Sequence, residues 1–141
     1  MRGWDATRVD RLKPRFVREL DRLGVPPAGM ERATGIVVTA LKNALADERG
    51  RWLLGPHPVA RNEHRLRSPG RSFRIDRYVE DARGTKWVVD YKTSEHKGGG
   101  VDAFLDAERE RYRAQLDAYS EAVGGARRGL YFPLLRGWRE W

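Results

Sequence analysis

The chain has 141 residues, and Lys and Arg outnumber Asp and Glu by 28 to 20, which gives a formal net charge of +8. This excess favours a polyanionic partner, nucleic acid above all, although a basic surface kept for solubility has the same composition. The absence of cysteine excludes disulfides, thiolate zinc sites and cysteine nucleophiles. No apolar run reaches the roughly 18 residues of a membrane span, and no secretion signal begins the sequence. We expect one soluble, cytoplasmic domain over 1–141.

The first third of the sequence has helical periodicity, and helices are expected within 8–48. Apolar residues from Val9 to Leu23 predict one helix that stops at Gly24, and a second is predicted from Ala28 to Asp47, closed by Gly50. The next segments are predicted to be, in order, a connection over 51–58, a weak strand over 59–67 and a turn over 68–71.

The clearest predicted element is a β-hairpin over 72–93. Its connection runs from Asp81 to Thr85 and has glycine at position 84, where a short hairpin loop needs a positive φ. If Asp81 pairs with Thr85, counting back along both strands places Asp76 opposite Asp90.

A long helix is predicted over 103–123, with a buried apolar stripe and Gly124 at its end, and a last strand is predicted over 129–135. Together the elements predict an α/β fold. We expect a small mixed sheet, centred on the hairpin and flanked by the N-terminal helices and the 103–123 helix.

Opposed aspartates need a physical reason, because like charges on facing strand positions destabilise a sheet. A hard divalent cation, Mg²⁺ or Mn²⁺, would turn the repulsion between Asp76 and Asp90 into coordination. Lys92 would then stand beside the cation and assist the water that attacks a phosphodiester. Two ordinary explanations remain open: the Asp90–Lys92 triplet is common at solvated strand ends, and Asp76 could pair with a neighbouring arginine.

Other polar residues carry weaker signals. Glu63 could supply a third carboxylate or be an exposed strand residue. Gln115 and Tyr119 share one face of the predicted helix, where Tyr119 would ordinarily be a core aromatic. The three histidines lack metal-ligand spacing, and the glycines at 98–100 lack the context of a phosphate-binding loop.

The segments IDR, VVDYKT and YRAQLDAY, in this order, resemble the RecB-like branch of the PD-(D/E)xK nucleases, in particular the C-terminal nuclease domain of bacterial helicase-nucleases of the exonuclease V beta-subunit and AddA-like type. The resemblance spans nearly the whole chain and implies a restriction-endonuclease-like core. It implies that Asp76, Asp90 and the Tyr91 carbonyl face the metal, with Lys92 and Glu63 in the catalytic site. It also implies that Gln115 and Tyr119 belong to a helix linked to DNA handling.

One position departs from the family pattern. Relatives often carry a histidine ligand in a GxxxH segment before the hairpin, and the corresponding segment here begins at Gly35 and ends in Thr39. Since threonine is a poor substitute for a ligating imidazole, this departure bears on metal affinity and activity. The chain also lacks a P-loop, so the motor of such an enzyme would have to lie elsewhere.

The sequence therefore predicts a Mg²⁺- or Mn²⁺-dependent exonuclease that acts on DNA and serves double-strand break repair or degradation of foreign DNA as part of a larger helicase-nuclease. Its expected partners are DNA, the parent helicase motor domains and further subunits, with no membrane. Two alternatives stay open: a DNA-binding or scaffold module that kept the fold and lost the chemistry, and a metal-dependent nuclease acting on RNA.

Overall fold

The computed structural model describes residues 3–141, and these divide into two compact units, residues 3–55 and residues 56–141. The first unit is helical, and the second contains a five-stranded mixed sheet and one long helix. The predicted mixed α/β class is confirmed at this level. Within the described residues, no helix has the length and apolar character needed to cross a membrane.

The N-terminal unit consists of helices that assemble around α3, which contacts each of the others. Their bounds are α1 (Ala6–Arg11), α2 (Lys13–Arg22), α3 (Pro27–Ala46) and α4 (Glu48–Leu54).

The prediction of a single helix from Val9 to Leu23 is wrong, because the chain breaks between α1 and α2 at Leu12. Pro14 explains the break. Proline has no N–H to donate to the preceding turn, so it interrupts a continuous helix, but it suits the first turn of a new helix. Pro14 accordingly occupies the first turn of α2.

The prediction that Gly50 ends the second helix, with a connection over 51–58, is also wrong. α3 ends at Ala46, and Asp47 then caps a new helix, α4, by accepting a hydrogen bond from the Gly50 N–H at 3.1 Å. An aspartate at this position satisfies a main-chain donor that the first helical turn leaves free. The terminating glycine is Gly55, where an added Cβ would lie 2.8 Å from the Arg51 carbonyl oxygen.

In the second unit the strands lie in the sheet in chain order, β1 to β5. Neighbouring strands are antiparallel except β3 and β4, which are parallel and are joined by the crossover helix α5. The bounds are β1 (Val59–Ser68), β2 (Arg71–Glu80), β3 (Lys86–Tyr91), α5 (Val101–Ala122), β4 (Arg127–Phe132) and β5 (Gly137–Glu140).

The predicted hairpin between β2 and β3 is confirmed, including its register. The Asp81 N–H donates to the Thr85 carbonyl at 3.0 Å, and Gly84 has a φ of +76°. Four facing pairs follow from this turn, ending at Arg77 opposite Val89. The turn therefore fixes which side chains of the two strands meet further along.

The Asp81 carboxylate organises this turn, and its removal should destabilise the hairpin. It accepts hydrogen bonds from the main-chain N–H groups of Arg83 and Thr85 and from the Trp87 indole. Asp81→Ala leaves these donors without their acceptor, so we expect a melting temperature lower by roughly several degrees. Asp81→Asn retains one side-chain oxygen and should lose less. Equal melting temperatures for Asp81→Ala and the wild type would contradict this role.

The predicted last strand over 129–135 is partly wrong, because β4 begins at Arg127 and ends at Phe132. Pro133 lacks the N–H of a ladder residue, and the chain turns back there, with the Leu135 N–H donating to the Phe132 carbonyl. The Trp-rich terminus then forms β5, a strand that the sequence did not predict.

The core of the second unit lies between the sheet and α5. The stripe predicted for the long helix supplies its helical side, although α5 starts two residues earlier and ends one residue earlier than predicted. The buried side chains of this cluster are Ile75, Tyr78, Val88, Leu105, Leu116, Tyr119, Leu130 and Phe132.

Candidate metal and catalytic site

Near the middle of β1 and of β2, the regular alternation of side chains between the two faces of the sheet is interrupted. Ile75 and Tyr78 belong to the same core cluster although they are three residues apart, so the usual alternation of strand side chains is interrupted between them. Glu63 lies opposite this point, between the pairs formed by Asn62 and His64, and has a φ of +47°. A positive φ is uncommon for glutamate, and it produces a local bend in the strand pair.

The bend places Asp76 where the pairing of β2 with β3 ends. Beyond Arg77 and Val89 the described strands form no further facing pair, and the Asp76 carboxylate instead accepts a hydrogen bond from the Tyr91 N–H at 3.1 Å. The Asp76 side chain thus reaches across to β3 beside Asp90, the next residue in the same register.

Asp76 and Asp90 lie close enough for the Asp76 carboxyl to raise the pKa of Asp90. Asp90 is only 4% exposed, whereas Asp76 is partly exposed. The structure therefore brings together the two carboxyl groups that the hairpin register predicted to be neighbours, and it opens one of them to solvent.

Lys92 completes this group immediately after β3. Its Nζ lies 2.6 Å from Asp90 Oδ2 and 3.9 Å from the ring centre of Tyr112 on α5. Its main-chain N–H donates to the Tyr131 carbonyl of β4 at 2.9 Å, which continues the parallel pairing by one residue. The ammonium is consequently held by a carboxylate, an aromatic face and a fixed backbone.

Burial raises the pKa of Asp90 to about 6, and the nearby Asp76 carboxyl adds to the increase, while Lys92 opposes it. Burial alone would lower the pKa of Lys92, but its contact with Asp90 and the attraction of that charge raise the pKa above its ordinary value. One ammonium therefore does not fully compensate two adjacent carboxylates, and additional positive charge at this position would stabilise the ionised form of Asp90.

Glu63 does not join the carboxyl pair. It lies opposite Asp76 in the register of β1 and β2, but its side chain is exposed at the bend. Within residues 3–141, no cluster of three or more His, Cys, Asp or Glu side chains has the geometry of a metal site. The role of Glu63 as a third catalytic carboxylate stays a prediction.

Gln115 and Tyr119 lie one turn apart on α5, as predicted, and are linked by a hydrogen bond from Gln115 Nε2 to the Tyr119 hydroxyl at 2.7 Å. Tyr119 is buried in the core and packs edge-on against Phe73, whereas Gln115 is exposed. Gln115 is thus the member of the pair available to a ligand, and Tyr119 orients it.

The structure also gives the positions of Tyr91 and Thr39, the remaining residues that the resemblance singles out. The Tyr91 main chain adjoins the site through its hydrogen bond to Asp76. Thr39 lies in α3 of the N-terminal unit with an exposed side chain. Tyr112 is the residue whose contact the sequence analysis missed, since its helical spacing indicates only that it belongs to the apolar stripe.

The donor set fits a magnesium-type ion that keeps part of its hydration. Mg²⁺ is commonly held by one or two carboxylates, with water and substrate phosphate oxygens completing its shell. Two adjoining carboxyls, one of which holds its proton to an unusually high pH, provide such a pair. A cation between them would offset the repulsion between the two carboxylates.

The chain matches no protein-family profile, and a search of curated proteins finds no match either. The fold and site therefore define the class only as a mixed α/β chain with paired carboxyls and a lysine at the end of a strand.

Proposed function

We propose that this chain is a metal-dependent deoxyribonuclease with a restriction-endonuclease-like core, acting as the nuclease domain of a helicase-nuclease in double-strand break repair or recombination. The observation that carries the proposal is the contact of Asp76, Asp90 and Lys92 at one end of the central hairpin. The net charge of +8 supports a polyanionic substrate.

In this function Asp76 and Asp90 would hold Mg²⁺ or Mn²⁺. The bound ion would polarise a phosphoryl oxygen and lower the pKa of water. Two features support this role: the Asp76 carboxylate is held by the Tyr91 N–H, and Asp90 lies within β3. Because both anchors belong to the sheet, the carboxyl pair is preorganised and little ordering is needed on binding.

Lys92 would orient the attacking water and offset charge that develops on the scissile phosphate. Its ammonium remains protonated at neutral pH because Asp90 raises its pKa. The Tyr112 ring below it limits the positions of Nζ without supplying a proton acceptor. Lys92 therefore acts as a fixed positive charge and hydrogen-bond donor, with the basic role left to another group or to solvent.

The proposal is tested by incubating the full chain with end-labelled linear duplex and single-stranded DNA in Mn²⁺, Mg²⁺ or EDTA. We expect cleavage that depends on the divalent ion, with products released from the ends. RNA of the same sequence serves as the competing substrate. Cleavage that continues in EDTA, or no cleavage with either metal, would contradict the proposal.

A second candidate is a DNA-binding or scaffold module that lacks catalysis. Two observations favour it: only two carboxyls adjoin within the described site, and an exposed threonine occupies position 39. Such a module would bind DNA equally well in EDTA and in Mn²⁺ and would cut in neither condition.

A further inference from the structure

The β1–β2 hairpin beyond the bend at Glu63 carries a concentration of positive charge that the proposed chemistry does not use. Residues 64–75 contain four arginines and no acidic residue. We call this segment the arginine ribbon. It is a two-stranded extension of the sheet that turns at Pro69 and Gly70.

The two faces of the arginine ribbon differ. Leu66, Phe73 and Ile75 lie on the core side, where Ile75 is buried and the other two pack against the core cluster. Alternation along the strands then places Arg65, Arg67 and Arg74 on the opposite face, and all three are exposed. The ribbon is therefore anchored by one face and presents arginines on the other.

The positions of these arginines are expected to destabilise the sheet. Arg65 faces Arg74 directly across the strand pair, and like charges at facing positions are destabilising. Within residues 3–141, Arg65, Arg67 and Arg74 form none of the side-chain hydrogen bonds or salt bridges that many other arginines of this chain form. A ligand with closely spaced negative charges would convert their repulsion into attraction.

Duplex DNA has the matching chemistry and dimensions. Its backbone carries phosphates at short, regular spacing, and its major groove admits a two-stranded β-ribbon. Arg74 precedes Asp76 by two residues, roughly 7 Å of strand. The ribbon is therefore near the carboxyl pair along the chain, although its arginines lie on the sheet face opposite to α5, whereas Lys92 contacts Tyr112 of α5.

We propose that the arginine ribbon binds the phosphate backbone of double-stranded DNA through Arg65, Arg67 and Arg74. The identity of the polyanion as DNA rests on the proposed function, whereas the binding itself needs no metal. Guanidinium groups bind phosphates bidentately, and phosphate contacts of this kind fix position without reading sequence.

The test measures binding in EDTA, where cleavage cannot interfere, by fluorescence anisotropy of a labelled 20-base-pair duplex over a range of salt concentrations. The variant combines Arg65→Gln, Arg67→Gln and Arg74→Gln. We expect about a tenfold or greater loss of affinity near 0.1 M salt, and a slope of log K against log salt that is smaller by about 2 to 3.

The matched control combines Arg15→Gln, Arg18→Gln and Arg32→Gln, three exposed arginines of the N-terminal unit, so both variants lose the same net charge. The control should retain wild-type affinity within about twofold and an unchanged salt slope. Circular dichroism and thermal melting confirm that both variants are folded. Equal loss in both variants would show a diffuse charge effect and overturn the proposal, as would undiminished binding by the ribbon variant.

A single strand of the same length distinguishes the form of the ligand. We expect the ribbon substitutions to weaken duplex binding more than single-strand binding, and the reverse order would overturn the assignment to duplex DNA. A chain that binds DNA through the ribbon yet never cuts it would contradict the nuclease proposal alone. Cleavage that survives the ribbon substitutions, with duplex affinity unchanged, would contradict the ribbon alone.

Discussion

Asparagine in place of Asp90 should abolish divalent-dependent DNA cleavage while leaving the chain folded. The substitution keeps the size and polarity of the side chain but removes the charge that would hold the cation. Asp90 is 4% exposed, so no nearby solvent-exposed group can take its place without a rearrangement of β3. We expect the cleavage rate in Mn²⁺ to fall to background, measured on linear single- and double-stranded DNA.

Lys92→Ala provides the complementary test, because it leaves the carboxyl pair in place. Loss of one fixed charge that stabilises a developing negative charge commonly costs about 100-fold or more in rate. We therefore expect Lys92→Ala to lose most of its cleavage activity and to retain Mn²⁺ binding. Metal binding is measured as the increase in melting temperature that Mn²⁺ produces.

Asp106→Asn is a suitable control, since Asp106 is an exposed carboxylate on α5 that pairs with Arg139 rather than with the candidate site. It should cleave DNA at the wild-type rate. Undiminished cleavage by Asp90→Asn would remove this site from consideration, and equal loss in Asp106→Asn would indicate a general effect on folding.

The part of the site that depends on the hairpin could be predicted from the sequence. A short connection ending in Gly84 specifies one register, and once Asp81 pairs with Thr85 the positions of Asp76 and Asp90 follow by counting. Strand periodicity is rigid enough to carry this information over five residues. The position of Lys92 beside Asp90 follows from the same alternation.

The bend at Glu63 could not be predicted in the same way. Glutamate has no preference for a positive φ, so nothing in the local sequence marks the position. The bend changes two expectations: it turns Glu63 outwards to solvent, and it lets the Asp76 carboxylate take a main-chain donor of β3. Both depend on how three strands fit together rather than on one strand's pattern.

The missed elements have local explanations. α4 was not predicted because a glycine such as Gly50 commonly ends a helix. In the structure Gly50 instead lies in the first turn of α4, where its N–H donates to the capping Asp47 carboxylate. β5 was hidden because its four residues are too few to show alternation, and its stability comes from pairing with β4 and from the packing of Trp138 near Trp87. In each case a tertiary or capping contact outweighed the local sequence signal.

The contribution of Asp90 to the stability of the metal-free chain should fall as the pH rises from about 4 to about 6. In the folded state burial and the neighbouring Asp76 raise its pKa to about 6, whereas its unfolded value is near 3.8. Between these values the folded state binds more protons than the unfolded state, so raising the pH favours unfolding. The difference amounts to about 3 kcal/mol once Asp90 is fully ionised.

Asp90→Asn isolates this contribution, since carboxylates elsewhere in the chain, such as Asp81, have lowered pKa values and the opposite pH dependence. In EDTA, the free energy of unfolding of the variant minus that of the wild type should rise between pH 4 and pH 6 and then level off. Urea unfolding at each pH measures this difference. A flat difference for Asp90→Asn would mean that Asp90 ionises as freely in the folded chain as in the unfolded one.

The same titration controls the proposed metal, because a cation binds only the ionised carboxyl and competes with its proton. Adding Mn²⁺ should therefore stabilise the wild type at pH 7 to 8 and lose this effect below about pH 6, while leaving Asp90→Asn unaffected at every pH. Stabilisation of the variant and the wild type to the same extent would place the ion elsewhere. The carboxyl pair would then destabilise the metal-free fold at neutral pH and stabilise the metal-bound fold. This is the behaviour expected of a site that holds a cation.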